Sequence, residues 1–188
     1  MRLLQAIGAL AAVALGAGLP TWVGYNVYAN GRPDDHFETV QPGKAGAWQH
    51  VAWRVSVQRS NDAKCRSTTP DRVCLKIIVL RAALDQEGAI RHGQPEITTQ
   101  DAAGRTWKAL IDADETPTDT TDNIIGHSYR MDVYSMVPTA VADSVQVLLR
   151  PSTYRNVPGQ DFDSFLKDIE KSNEKNDHVL RFLREPAD

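Results

Sequence analysis

The sequence predicts a mainly β protein, an antiparallel β-sandwich behind an N-terminal apolar segment. Three observations predict it. Short stretches of period-two alternation between apolar and polar residues recur between residues 36 and 150, separated by turn-forming residues. No helical periodicity lies between them, so the crossover helices of a parallel sheet are missing. The opening run Leu3–Val23 carries no charge, and Gln5 and Thr21 are its only clearly polar side chains.

That opening run has two readings. Roughly 20 apolar residues span a bilayer core. Residues 3–25 therefore read as an uncleaved transmembrane helix, with Arg2 inside and Trp22, Tyr25 and Tyr28 in the outer headgroup belt. They also read as a secretory signal peptide cleaved after Val27-Tyr28-Ala29. Either way the rest of the chain is exported, at the cell membrane in a single-pass arrangement or secreted. Gly8, Ala12 and Gly16 recur every four residues, a spacing that lets two helices approach closely as a homodimer. Pro20 ends or kinks the helix.

The exported part is long enough for one domain with a real core. Mixed charges and a net charge of −3 give no basic stripe, so no nucleic-acid partner is expected. Cys65 and Cys74 are the two cysteines and flank a loop rich in turn formers. In an exported chain such a pair reads as a disulfide. Closing so short a loop restricts the unfolded chain by about 2.7 kcal/mol.

Strand by strand, residues 36–41 (HFETVQ) form a short first strand. In residues 48–58, Val51, Trp53, Val55 and Val57 alternate with Ala52, Arg54, Ser56 and Gln58. Residues 74–84 (CLKIIVLRAAL) are apolar on both sides, which suggests a central strand covered on both faces or a short buried helix. Residues 95–100 and 105–111 flank Asp101-Ala102-Ala103-Gly104, a bulged hairpin turn whose glycine takes the left-handed position. Trp107, Ala109 and Ile111 then share a face. Residues 127–137 place Tyr129, Met131 and Val133 opposite Arg130, Asp132 and Tyr134, and Pro138 ends the strand. Residues 144–150 turn Val145, Val147 and Leu149 inward. Beyond them, residues 161–172 place Phe162, Phe165, Leu166 and Ile169 at helical spacing, and Val179, Leu180, Phe182 and Leu183 form a second apolar patch. The organisation read from this is an anchor or signal peptide at 1–30, a sandwich at 31–155 and a C-terminal amphipathic helix or tail at 156–188.

The anchor PTWVGYNVYANG, the strand HVAWRVSV, the hairpin EITTQDAAGRTW and the strand pair YRMDVYSMVPTAVADSVQVLLRP together carry a resemblance. The chain resembles single-pass membrane proteins of actinobacterial type with an extracytoplasmic immunoglobulin-like domain. The hairpin also looks like that of β-sandwich domains in secreted bacterial lipoproteins. The resemblance covers most of residues 20–155 and implies an address and a fold. It implies no catalytic residue.

The serine-hydrolase elbow, the zinc-protease helix, the phosphate loop and the dinucleotide-binding glycine pattern are absent from the sequence. The acidic stretch DADETPTDTTD, with Asp112, Asp114, Glu115, Asp119 and Asp122, is the best candidate ligand site, for calcium, or else a solvated connection. His36, His50, His92 and His127 sit at predicted strand ends or loops. No cofactor is expected. The leading reading is an extracytoplasmic module that binds a protein or cell-envelope partner without catalysis. The alternative is a cell-envelope hydrolase or sugar-active enzyme, which needs two carboxylates roughly 5–10 Å apart in a cleft.

Overall fold

Period-two patterning becomes nine strands and two short-to-medium helices in a computed structural model that describes residues 35–65, 67–174 and 177–184. The readings of residues 3–25 and of Gly8, Ala12 and Gly16 lie outside the described residues. Among the described residues no helix is long and apolar enough to cross a membrane.

In chain order the elements are β1 (His36–Val40), β2 (Ala45–Trp48), β3 (Val51–Ser60), β4 (Arg72–Ala83), α1 (Gln86–Ala89), β5 (Glu96–Gln100), β6 (Thr106–Asp114), β7 (Ser128–Pro138), β8 (Gln146–Arg150), α2 (Phe162–Glu174) and β9 (His178–Phe182). They hydrogen-bond in the order β1-β9-β8-β5-β6-β7-β4-β3-β2. This ribbon folds into a sandwich because β6 changes partner along its length. Trp107 and Lys108 pair with β5, whereas Ala109, Leu110 and Ile111 pair with β7. One layer is β1, β9, β8 and β5; the other is β2, β3, β4 and β7. The two layers face each other across a core that includes Trp53, Ile77, Val79, Met131 and Val133 from one side and Ile97, Val147, Leu149, Leu180 and Phe182 from the other. Burying each such side chain contributes about 1.5–3 kcal/mol.

Strand alternation predicts the inward faces of β7 and of β8 together with Val145 just before it. Tyr129, Met131 and Val133 are buried, as are Val145, Val147 and Leu149. The hairpin between β5 and β6 also forms as read. Gly104 has φ +80° and its N–H donates to the Asp101 carbonyl, while the Asp101 N–H donates to the Arg105 carbonyl. The Asp101 carboxylate takes the N–H groups of Ala103 and Arg105 and the Arg105 guanidinium, and so closes the turn.

Four expectations change. β4 is central but not covered on both faces: Leu75, Ile77, Val79 and Arg81 are buried, while Lys76, Ile78 and Leu80 on the other side are only half-buried. β2 is a strand that AGAW, lacking β-branched residues, did not announce. Residues 178–182 are not a helix end or a docking tail but β9, seated between β1 and β8, because Val179, Leu180 and Phe182 fill the core better in a ladder than on a helix stripe. The C-terminal region is thus part of the sandwich, and the β1–β9 pair is parallel in an otherwise antiparallel fold. Finally, α2 forms where expected, capped by Asp161 accepting the Ser164 N–H, but Phe162 and Leu166 of its stripe are exposed.

Where β6 changes layer, two buried hydroxyls meet. Thr99 Oγ1 and Ser135 Oγ are 3.0 Å apart, and Ser135 donates to the Lys108 carbonyl at 3.3 Å. Both residues are essentially inaccessible to solvent. Cys65 and Cys74 form the expected disulfide, with Cα atoms 5.7 Å apart.

Replacing Ser135 by Ala should destabilise the fold by about 1–3 kcal/mol, because the buried Thr99 hydroxyl and the Lys108 carbonyl each lose a partner. Equilibrium denaturation measures this; a Ser135→Ala variant as stable as the parent would contradict it. The double change Cys65→Ser with Cys74→Ser should cost about 2–3 kcal/mol by the same measurement, with the strand order retained.

Candidate functional site

The candidate site arises from a mismatch of strand lengths. The turn between β2 and β3 holds Gln49 at φ 45° and His50 at φ 68°. Positive φ at both central residues makes a two-residue hairpin of the type whose twist suits flanking strands. β2 is only four residues long and pairs with Val51–Arg54. β3 runs on to Ser60, so from Val55 onward no strand among the described residues is paired with its outer edge. In the facing layer β1 stops at Val40, while the chain after β9 continues, with the Leu183 N–H donating to the Val40 carbonyl. The crossing from β1 to β2 passes over this side as a tight turn, in which the Lys44 N–H donates to the Gln41 carbonyl.

Below that turn the side of the sandwich opens into a cleft of about 310 Å³. Val55 and Val57 of β3 form one apolar wall; Val147 and Phe182 form the other. Arg54 and Arg184 are the charged lining residues, and no Asp or Glu is among them. The Arg54 side chain is exposed and has no hydrogen-bond or ion-pair partner among the described residues. The far end is closed by ion pairs. Arg59 donates to both oxygens of Asp143, at 3.1 and 2.6 Å. Arg184 lies 3.7 Å from the same carboxylate and donates to the Ala142 carbonyl. Two guanidinium groups thus share one carboxylate, and Arg59 holds the Asp143 carboxyl below its ordinary range.

The acidic stretch singled out in the sequence does not assemble into one site. Asp112 and Asp114 belong to β6 rather than to a loop. Asp112 pairs with Lys64 at 2.9 Å. Asp114 accepts the Thr116 N–H, and Asp119 accepts the N–H and hydroxyl of Thr121. The Glu115 N–H donates to the Arg130 carbonyl, and the Asp122 carbonyl accepts from Tyr129. The Asp114 and Asp119 carboxylates thus close turns and Asp112 pairs with a surface lysine, while Glu115 and Asp122 are bonded here through their backbones. Among the described residues no group of three His, Cys, Asp or Glu is placed to hold a metal ion. The histidines form no common cluster: His50 bonds Asp85 at 2.6 Å and His127 packs edge-on to Tyr129, while His36 and His178 are cross-strand neighbours with ring centroids 5.7 Å apart, and His178 also stacks on Trp48.

Sequence reading missed two features. One is the open edge of β3, since strand lengths, not composition, create it. The other is Arg81, buried on the inner face of β4. Its side chain donates to the carbonyls of Gly88 and Arg91 and lies 5.8 Å from the Trp53 ring. Burial lowers its affinity for a proton, partly offset by attraction from Asp114. The signal was present in the alternation Leu75, Ile77, Val79, Arg81, Ala83, which places an arginine in phase with the core.

No protein-family model and no curated protein matches the chain. Two solved structures are similar to it. The secreted protein MPT63 of Mycobacterium tuberculosis has 12% identity and a TM-score of 0.42, over 79% of this chain and 98% of that one. An uncharacterised β-sandwich protein of Clostridium difficile has 9% identity and a TM-score of 0.41, over 82% of this chain and 98% of that one.

Several carboxylates are held below their ordinary range: Asp62 by the Lys64 N–H and the Tyr134 hydroxyl, Asp132 by Arg130 and Lys76, and Asp143 by Arg59. A group whose folded value is depressed stabilises the fold above its unfolded value, near 3.9 for Asp, and that stabilisation is lost as pH falls through the folded value. Stability should therefore be level above about pH 5 and decline below about pH 4. Denaturation midpoints across pH measure this, and the decline should be shallower for Asp132→Asn; identical slopes for parent and variant would contradict the assignment.

Proposed function

We propose that this chain is an extracytoplasmic binding module, an immunoglobulin-like sandwich that holds a protein or cell-envelope partner and turns over no substrate. Residues 3–25 attach it to the cell membrane in this reading, or direct its secretion if the segment is cleaved. The observation that carries the reading is the lateral cleft: apolar walls, arginines at its rim and a bare strand edge along one side. Such a surface recognises by shape, main-chain hydrogen bonds and charge. The Cys65–Cys74 disulfide supports the address, because such bonds persist in oxidising compartments.

The competing reading, a carboxylate-based hydrolase, needs a pair of acids facing a cleft. The lining of this cleft contains none, which favours binding.

The address is tested by intact mass of the protein from its native membrane fraction, after alkylation of thiols without reduction. The full-length mass without alkylation is expected. Alkylated cysteines would overturn the oxidising address, and a mass lacking the first 29 residues would make the protein secreted. Turnover of an envelope substrate, abolished by a substitution in the cleft, would overturn the binding reading.

A further inference from the structure

The hairpin register determines which backbone groups face the open side. In a two-residue hairpin the closing pair, here Trp48 and Val51, exchanges both hydrogen bonds. Edge-facing groups then recur at every second residue of β3: Val51 and Trp53 point to β2, and farther along the same edge Val57 and Arg59 point outward. Opposite β4, pairing continues without interruption to Ser60 with Cys74. β3 is therefore a half-used strand over its last residues, rigid because one side is fully laddered, and on the other side unpaired with any strand among the described residues.

Rigid bare edges are templates for strand addition. This one lies beside the apolar slot formed by Val55, Val57, Val147 and Phe182. An extended peptide laid along β3 would place alternate side chains toward that slot and the intervening ones toward solvent.

Charge decides between occupants. Val51–Ser60 contains Arg54 and Arg59 and no acidic residue. The Arg54 side chain has no partner among the described residues, and Arg59 and Arg184 share the single carboxylate of Asp143. Two copies of this chain paired edge to edge would bring four β3 arginines together, an arrangement that like charges disfavour. A strand of alternating apolar and acidic residues meets both the slot and the arginines.

We propose that the free edge of β3 captures an extended peptide segment of a partner protein, with apolar residues entering the cleft and acidic residues facing Arg54. This rests on the binding-module reading and names its partner class.

The test uses the full chain with its disulfide intact and a display library of short random peptides. Enrichment of peptides alternating apolar with Asp or Glu is expected, with amide shifts of the bound protein concentrated at residues 55–59. Arg54→Glu should weaken the enriched peptides about five- to ten-fold, and added salt should weaken the parent complex. Val57→Pro, which removes an edge N–H, should weaken them about ten-fold or more. If Val57→Pro fails to fold, Arg54→Glu with the amide map still decides. No enrichment, enrichment of basic peptides, equal binding by both variants, or shifts elsewhere on the sandwich would overturn the proposal. Self-association lost in Val57→Pro would overturn it in favour of a second copy. Shifts elsewhere would leave the binding-module reading standing, whereas cleavage of edge-bound peptides would overturn that reading and leave the edge assignment intact.

Discussion

β6 belongs to both layers, and the sandwich depends on that handover. A strand that leaves one sheet for another must break its ladder within the core, where unpaired carbonyls are costly. Here the break falls between Lys108 and Ala109, and the hydroxyls of Ser135 and Thr99 reach the carbonyls of Lys108 and Trp107. The same hydroxyls meet each other across the layers. The register shift between Ile111 and Ala113 adds the local bend that a corner requires. Among the described residues, closing the sandwich at this corner leaves the other side to the β1–β2 crossing and the residues after β9. That crossing is too short to cover β3, so the cleft is a geometric consequence of how the corner was built.

A second arrangement keeps the opposite end of the molecule in place. The Gln49–His50 turn adopts a backbone that non-glycine residues reach at a cost of about 1–3 kcal/mol each. It is held from outside: the Leu84 N–H donates to the His50 carbonyl, His50 bonds Asp85, and Arg91 donates to Gln49 at 2.5 Å. α1 can pack this closely only because residue 88 is glycine, since a Cβ there would sit 2.1 Å from the His50 carbonyl oxygen. The carbonyls of Gly88 and Arg91 in turn receive the buried Arg81 guanidinium. Strain in the turn, close approach of α1 and an interior cation therefore form one unit. The turn sets the register of β2 on β3, and that register sets where β3 becomes bare.

Much of the architecture was legible because one-sided burial writes itself into alternation. Tyr129, Met131 and Val133, the Asp101–Gly104 turn and the strand stop at Pro138 needed no partner information to be recognised. β9 was not legible, because Val179, Leu180 and Phe182 suit a helix stripe or a ladder equally until β1 and β8 supply the ladder. The acidic stretch pointed away from the site. Its residues are close in sequence, yet strand pairing sends Asp112 to Lys64 while Asp119 turns back on Thr121.

By itself the sequence determined the fold class, the disulfide and most inward faces, since these depend on local period, spacing and turn chemistry. Tertiary structure alone decided the candidate site. A cleft exists because β2 is shorter than β3, and it is apolar because Phe182, far along the chain, arrives opposite Val57. Its charge is set by the Arg54 side chain, without a partner among the described residues, while Arg59 and Arg184 converge on Asp143. Differences in strand length and convergence of distant residues leave no periodic trace in the chain, so only the folded arrangement expresses them.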